Sequence, residues 1–447
     1  MPATAKPFSV ASTRSPTRQY RWRVVGACAL ILAVGAGCKK PLPTETVHTG
    51  APPVGPAVGP VDASAPVPWD GGFGSNEVFT KAGFLAEMSA CTVGRVGDFL
   101  SKSVRLRDAI AALGPVPAGA DAGAESGLEA DAKAAWRDAF SSFQELEVFR
   151  FGPAAAPPAA GAMGLRDEMY AWPLVSRCRM DETLVDKSYE TLAFSSSLVN
   201  GRGLAAVDYL LYDTGTSNGC SEFSVINGSG SWAALTASDL KERRRRYAAA
   251  AAADVASRAG ELARAWAPGG GNFQQAFAAA GTGSVVFLKE SDALNALTDA
   301  LIYIDDEVKD WKLGKPLGYF ECTTGTCPGA VEALYSRQST AGVQSNLKAA
   351  RRIVQGCGED YAGLGLHDWL RSLPAEDLAN RLLGALVAAQ MAVDTLGSSP
   401  IDELLAREPA KVALAHANVR AFAALFKGEV LAALTLQLPA SAQGDND

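Results

Sequence analysis

The sequence predicts an all-α protein, in which helical bundles are joined by loops behind an N-terminal segment that cannot fold. Apolar residues recur at intervals of three and four from about residue 76 onward, which places them on one face of a helix. Long alternating strand patterns are absent from the 447-residue sequence. Hydrophobic residues make up 48% of the chain, which is enough to fill a core and excludes a wholly disordered protein.

The first predicted element is a signal peptide at residues 1–37. Its head carries basic residues and no acid, namely Lys6, Arg14, Arg18, Arg21 and Arg23. The apolar run at 24–37 has 14 residues, whereas a helix that spans a bilayer needs about 20. The run is therefore typical of the core of a secretory signal.

A lipid anchor is predicted at the end of this run. Gly35-Ala36-Gly37-Cys38 resembles a bacterial lipobox, in which the Cys becomes the lipidated first residue of the mature chain. Gly35 stands where Leu is usual, and an ordinary secretory signal cleaved elsewhere is the alternative. Lipidation of Cys38 would hold the protein in a bacterial membrane of the cell envelope, facing the periplasm or the cell exterior.

A tether and two lobes follow. Residues 38–75 are rich in Pro, Ala and Gly without a periodic apolar face, which predicts an extended spacer. Loop-rich breaks at 152–164 and 215–231 interrupt the remainder. We place the lobe boundary at the second break, which gives an N-terminal helical lobe at 76–214 and a C-terminal helical lobe at 232–440.

Helices of the second lobe are predicted from composition and apolar stripes. Strong helix formers fill residues 241–266, and the four arginines at 243–246 favour a solvated face over an anion patch. Three stripes are formed by Leu294, Leu297, Leu301, Ile304, Val308 and Trp311, by Leu378, Leu382, Leu386 and Met391, and by Val412, Val419, Phe422, Phe426 and Val430. Ser291 is the predicted cap of the first, and Pro409 breaks the turn before the third.

Six cysteines lie beyond the predicted lipidation site, Cys91, Cys178, Cys220, Cys322, Cys327 and Cys357. An even number in an exported chain indicates disulfides. Cys322 and Cys327 bracket a Gly-containing turn and are favoured as a local disulfide. Zinc is the rival interpretation of this pair, although a structural zinc site needs four ligands and no second close pair exists. The pairing of the other four cannot be read from the sequence.

Composition argues against a nucleic-acid partner and against a His-rich metal site. Lys+Arg 41 against Asp+Glu 48 gives a net charge of −7, without the basic footprint of a nucleic-acid binder. Of the three His, His48 lies in the tether, and neither His367 nor His416 begins an H-E-x-x-H motif. His416 lies on an apolar stripe and is predicted to be a core histidine.

Five segments, in the family's order, resemble the imelysin family of bacterial envelope proteins. They are residues 143–153 (FQELEVFRFGP), 165–175 (LRDEMYAWPLV), 178–181 (CRMD), 312–318 (KLGKPLG) and 331–336 (VEALYS). The resemblance implies two packed helical bundles that arose by duplication, with a site in the cleft between the lobes. It also implies a periplasmic or surface-anchored protein, in a family often linked to iron or haem uptake and in part named as peptidases.

The sequence departs from the family at its site motif, G-x-H-x-x-E. Gly203-Leu-Ala-Ala-Val-Asp208 occupies that position, so Ala205 replaces the His and Asp208 replaces the Glu. A methyl group cannot coordinate a metal or carry a proton, whereas Asp keeps a carboxylate on a shorter side chain. The resemblance therefore implies no catalytic residue and no metal ligand beyond Asp208. The cofactor is unknown; none is expected from this motif, and iron or another divalent cation remains an option.

The other candidate ligand-binding residues lie in the family-like segments, and they are Glu145, Arg150, Arg166, Tyr170, Trp172, Arg179 and Asp181. A polar cleft that binds a cation or an anionic ligand is one interpretation. The other is a network of buried ion pairs with aromatic rings packed in the core, because an isolated buried charge is costly. Glu145 and Glu147 straddle two faces of their helix, so at most one is expected to point inward.

These observations predict a membrane-anchored imelysin-like lipoprotein that acts as a binding or accessory protein of the cell envelope. Iron or haem acquisition is its expected setting, and another envelope protein is a candidate partner. Enzymatic activity is not favoured, because Ala205 takes the place of the family's His. A carboxylate-based metal-dependent peptidase of the imelysin type is one alternative, and a purely structural partner-binding protein is the other.

Overall fold

A computed structural model of the protein describes residues 78–115 and 127–439. The predicted signal peptide, Cys38 and the predicted tether lie outside these residues and stay predictions. Across the described ranges the secondary structure is helical and no strand occurs, which confirms the all-α fold class.

The helices alternate between long rods and short connecting turns. The first six are α1 (Lys81–Ala111), α2 (Gly127–Glu147), α3 (Leu165–Met169), α4 (Arg177–Asp186), α5 (Gly203–Tyr212) and α6 (Val225–Gly228). The next are α7 (Ala237–Trp266), α8 (Phe273–Ala278), α9 (Glu290–Leu301), α10 (Ser339–Val354), α11 (Leu366–Arg371), α12 (Glu376–Asp394), α13 (Ile401–Arg407), α14 (Pro409–Leu425) and α15 (Leu431–Ala433). Two π-helical segments, Ile304–Gly314 and Phe426–Val430, follow α9 and α14.

The predicted apolar stripes form much of the core. Every residue of the three stripes is buried except Trp311, which is half-buried, and Met391, whose side chain is 65% exposed. Met391 follows Leu386 by five positions, which turns it about 140° away from the stripe on a helix. Ala389 and Val393 hold the buried positions instead, because they continue the spacing of three and four.

Two helix starts differ from the prediction. Ser291 is not the cap of α9, since the helix begins at Glu290 and Ser291 lies within its first turn. Helix α7 begins at Ala237, where Thr236 and Asp239 form a capping box. The Thr236 Oγ1 accepts the Asp239 N–H at 3.1 Å, and the Asp239 carboxylate accepts the Thr236 N–H at 2.9 Å.

Long helices pack around α1 and α2. Helix α1 packs against α2 and α7, α7 packs against α5, and α10 bridges α2 and α12. Helix α12 in turn packs on α14. The described residues fall within one compact unit, and the predicted division into lobes at 215–231 stays a prediction.

Three disulfides connect the six cysteines among the described residues. Cys322–Cys327 is confirmed as a local disulfide, which leaves no thiolate there for zinc. Cys178–Cys220 ties α4 to the loop that follows α5, across 42 positions. Cys91–Cys357 ties α1 to the loop after α10, across 266 positions. None of the helices among the described residues combines the length and the apolar character that crossing a bilayer requires.

Candidate functional site

A cavity of about 260 Å³ opens beside α5. Ala205 and Asp208 both lie on its wall, because residues three apart share one face of a helix. Gly203 begins this helix with φ of 79°, and a Cβ there would lie 2.5 Å from the Met169 carbonyl oxygen. Glycine therefore lets the start of α5 approach the end of α3 closely, which positions the motif against the cavity.

Asp208 is buried and is held by the chain opposite α5. One of its carboxylate oxygens accepts the backbone N–H of Ser336 at 2.9 Å. Burial raises the pKa of Asp208 to about 7, since the hydrogen bonds from Ser336 offset only part of the desolvation and the Glu332 carboxylate repels a further negative charge. Asp208 can therefore exchange a proton near neutral pH.

The raised pKa predicts a stability change with pH. The pKa of an unfolded Asp is about 3.9, so the folded state holds the Asp208 proton over a window in which the unfolded state has lost it. Stability from this group is present below the unfolded pKa and is lost as the pH rises through 7. Asp208→Asn removes the ionisation and so escapes this loss. The free energy of unfolding of the variant, relative to that of the wild type, should therefore be about 2–3 kcal/mol higher at about pH 8 than at about pH 5.

Urea unfolding at several pH values measures this gain. Asp377→Asn is the matched control, because the side chain of Asp377 is 89% exposed. The difference in free energy of unfolding between Asp377→Asn and the wild type should not change over this pH range. Parallel curves for wild type and Asp208→Asn would show that this carboxyl group ionises without cost.

The rest of the cavity wall combines aromatic rings with two cations. Tyr170, Trp172, Trp311, Tyr335, Arg177 and Lys315 line it. The Lys315 ammonium lies 4.3 Å from the centre of the Trp311 ring, which is a cation–π distance. Lys315 also pairs with the exposed Glu321 at 3.2 Å, and Arg177 pairs with Asp213 at 3.6 Å. Such a wall suits a small ligand with a flat apolar part and an anionic group.

A buried ionic cluster lies behind this wall, consisting of Glu147, Arg166, Lys312 and Glu332. The Lys312 ammonium lies 2.9 Å from a Glu332 oxygen and 3.7 Å from a Glu147 oxygen. Arg166 contacts Glu147 at 2.7 Å. Because two carboxylates face two cations, the cluster is neutral overall, which is the condition under which charges tolerate burial.

Neutral polar side chains complete the hydrogen bonds of this ionic cluster. Lys312 donates to Asn346 at 2.8 Å and also to Gln144, and the Gln144 amide donates to Glu332 at 3.0 Å. Tyr303 donates to Glu147, and Tyr170 donates to Glu332 at 2.9 Å. Tyr170 lines the cavity as well, so it joins the ionic cluster to the Asp208 site.

The two carboxylates of the ionic cluster are shifted in opposite directions. Burial would raise the pKa of Glu147, but the Arg166 and Lys312 charges outweigh burial and hold this pKa below its usual range. Burial raises the pKa of Glu332, and Lys312 compensates only in part because the Glu147 charge repels. Burial and the Glu332 charge also raise the pKa of Tyr170, which therefore remains a hydrogen-bond donor.

The sequence profile of the imelysin family matches residues 105–427. The chain belongs to the imelysin family. Among curated protein sequences none matches it.

Two solved structures share the imelysin fold with this chain. An imelysin-like protein from Psychrobacter arcticum 273-4 is 14% identical, with a TM-score of 0.57 over 80% of this chain and 96% of its own. A candidate iron-regulated protein A precursor from Parabacteroides distasonis ATCC 8503 is 16% identical, with a TM-score of 0.60 over 80% of this chain and 97% of its own. At these identities the likeness supports the fold alone.

Three of the predicted site residues meet at the cavity of this imelysin protein. Asp208, Tyr170 and Trp172 all line it. Arg166 lies in the ionic cluster instead, where it also donates to the Trp172 carbonyl at 3.2 Å. The family-like segments therefore contribute both to the cavity wall and to the charges behind it.

The other predicted residues make ion pairs and hydrogen bonds elsewhere. Arg150 pairs with Glu307 at 3.5 Å, and Arg179 pairs with Glu182 at 3.6 Å. Asp181 accepts the Gly219 N–H at 2.7 Å and the Tyr209 hydroxyl at 2.5 Å. None of these three residues lines the Asp208 cavity, so their predicted role in ligand binding stays a prediction.

The expectation that at most one of Glu145 and Glu147 points inward is wrong. Both Glu145 and Glu147 are buried, because α2 is covered on two faces. Glu147 enters the ionic cluster, whereas Glu145 contacts Lys348 at 2.7 Å and Arg95 at 2.9 Å. A partner of opposite charge on each face removes the cost that the prediction assumed.

Sequence reasoning missed Lys312 and Glu332 as candidate residues. Both stand in the segments that resemble the imelysin family, at 312–318 and 331–336, where only their turn and motif character was considered. Glu332 is a single charge between apolar neighbours at 330–334, which was an available signal. Lys312 lies among other charged residues, Lys309, Asp310 and Lys315, so the sequence offered no such signal for it. His416 also differs from the prediction, since it is half-buried and meets the exposed Tyr319 ring at 4.9 Å instead of lying in the core.

Proposed function

We propose that this imelysin protein is a lipid-anchored binding protein of the bacterial cell envelope, which holds a small ligand in the Asp208 cavity without a transition metal. The observation that carries the proposal is the pairing of Ala205 with Asp208 on one cavity wall. Transition metals in proteins favour imidazole and thiolate ligands. Among the described residues that line the cavity, Asp208 is the single carboxylate, and neither His nor Cys occurs.

The cavity wall supports an anionic ligand with a flat apolar part. Arg177 and Lys315 supply positive charge at the wall, and Trp172, Trp311 and Tyr335 supply aromatic surface. The partner of Lys315, Glu321, is exposed, so a ligand can compete for Lys315 at modest cost. Arg177 is held by Asp213 and by the buried Asp181, so it would contribute its charge without leaving these partners. Asp208, with a pKa of about 7, offers either a donor or an acceptor to the bound molecule.

Its setting is proposed to be iron acquisition in the envelope. The predicted signal peptide and the lipidation of Cys38 would export and anchor the protein. One structural neighbour is a candidate iron-regulated protein A precursor, and this name supports both export and a link to iron. A carboxylate-based peptidase receives less support, because a metal at this wall would have one carboxylate ligand among the described lining residues.

Native mass spectrometry of the full-length protein, extracted gently from its own membranes, tests the proposal. We expect an adduct of one small organic molecule, absent from Trp172→Ala and retained in Arg105→Gln, whose side chain is 67% exposed and outside the cavity. A metal adduct that disappears with Asp208→Ala would favour the peptidase. A bare chain bound only to another protein would favour the structural alternative.

The anchor has its own test. Cys38→Ala should move the protein from the membrane fraction to the soluble fraction and abolish labelling by a palmitate analogue. Unchanged membrane association would contradict lipidation at this residue while leaving the cavity proposal intact.

A further inference from the structure

Two stretches of the chain, at 151–165 and 265–288, contain no charged residue and no histidine. Charged residues make up 20% of the whole chain, so runs of this length without one are a local departure from its composition. Both stretches consist mainly of loops and short helical turns, and residues 156–160 of the first are exposed. Surface loops are normally polar, so these two need a separate explanation.

The two stretches meet around Phe273. Its ring lies against Gly152 and Gly161, where a Cβ would collide with it. The rings of Phe151 and Phe277 also pack together, with their centres 4.6 Å apart. These contacts join the two stretches into one region, which we call the charge-free surface.

Large apolar side chains project from the charge-free surface into solvent. Val285 is 90% exposed, Leu288 is 75% exposed and Met163 is 53% exposed. Phe287 is buried, and its ring packs on Phe273 with 5.8 Å between ring centres. Single exposed apolar residues are ordinary, whereas a group of them on an uncharged surface indicates a contact with something apolar.

The described chain enters the fold close to this surface. The Ser89 hydroxyl of α1 donates to the Gln274 carbonyl oxygen at 2.9 Å, and Gln274 belongs to the second charge-free stretch. Ser89 follows the first residue of α1, Lys81, by eight positions, which a helix covers in about 12 Å. The segment with the predicted tether and Cys38 therefore joins the folded part of the chain near the charge-free surface.

We propose that the charge-free surface docks on the lipid bilayer, with Met163, Val285 and Leu288 inserted at the level of the headgroups. The proposal draws on the anchor proposed at Cys38, which would keep this surface at a high effective concentration beside the membrane. Anionic lipids would repel a chain of net charge −7 least at a surface without acids.

Docking through so few side chains is weak and reversible by itself. It therefore agrees with the expected release of Cys38→Ala from the membrane fraction. Since none of the described helices is suited to cross a bilayer, the contact is with the membrane surface.

Flotation of the purified Cys38→Ala protein with phosphatidylcholine vesicles tests the docking without the acyl chain. Val285→Ser with Leu288→Ser, added to Cys38→Ala, should lower the partition coefficient about tenfold. The Tm should not change, because both side chains are exposed in the folded protein. Sodium chloride at about 0.5 M should leave the binding intact, because no charge takes part.

Leu192→Ser with Val225→Ser is the matched control in the same protein. It also removes one Leu and one Val, which are 101% and 80% exposed and lie outside the charge-free stretches. The control should bind vesicles as Cys38→Ala does. Equal losses in the two double variants, or no vesicle binding at all, would overturn the docking. Cys38→Ala that stays in the membrane fraction of cells contradicts the anchor alone, since the comparison on vesicles is unaffected.

Discussion

Lys312→Met is expected to lower the free energy of unfolding by about 3–5 kcal/mol. Met is unbranched and only one atom shorter than Lys, and it removes the charge. Glu332 would then lose its 2.9 Å ion pair inside the core, and Glu147 would keep Arg166 alone. The Gln144 and Asn346 oxygens would also lose their shared donor. An unpaired buried carboxylate is among the largest single costs in protein stability.

Urea unfolding of Lys312→Met and of a matched variant measures this loss. Lys315→Met changes the same residue type three positions later, where the partner Glu321 is 65% exposed, and should cost about 1 kcal/mol or less. Adding Glu332→Gln to Lys312→Met should recover part of the loss, because the remaining charges are again balanced. A loss for Lys312→Met no larger than that of the control would mean that the ionic cluster does not stabilise the fold.

Removing the Cys91–Cys357 disulfide is expected to cost about 5–6 kcal/mol on the loop-entropy scale. The disulfide closes a loop across 266 positions, and the entropy that a cross-link removes from the unfolded chain grows with loop length. It also joins α1, the helix on which α2 and α7 pack, to the loop after α10. The double variant Cys91→Ser with Cys357→Ser should therefore unfold at much lower urea concentration.

Cys322→Ser with Cys327→Ser provides the comparison for that disulfide. Its loop spans five positions, so its removal should cost about 2 kcal/mol on the same entropic scale. The order of the two losses is the decisive result. Equal losses would show that native contacts, not loop closure, set the contribution of each disulfide.

The fold class could be predicted because the helical spacing of apolar residues is a local property of the sequence. The stripe through Leu294 and Val308 is buried as predicted, because helical periodicity alone determines which side chains share a face. The prediction that Met391 belongs to a stripe was wrong by the same rule, because five positions from Leu386 place it on another face of the helix. The partners of Cys91 and Cys178 could not be predicted, because helical spacing says nothing about which distant segments meet.

Only the part of the site that lies within one local motif could be predicted from the sequence. Ala205 and Asp208 were found from the family motif, and both lie on the cavity wall. The contact of Lys312 with Glu147 joins residues from distant helical segments, so no local pattern contains it. The inward turn of Arg244 likewise depends on tertiary packing around α7, which a run of arginines does not reveal.

Metal content tests the central claim about the Asp208 cavity most directly. Wild-type protein incubated with zinc or ferrous iron and then desalted should retain less than about 0.1 equivalent per chain by elemental analysis. Ala205→His with Asp208→Glu restores the family's motif on the same helix face and should retain measurably more metal than the wild type. One equivalent of tightly held metal in the wild type, lost in Asp208→Ala, would contradict the account.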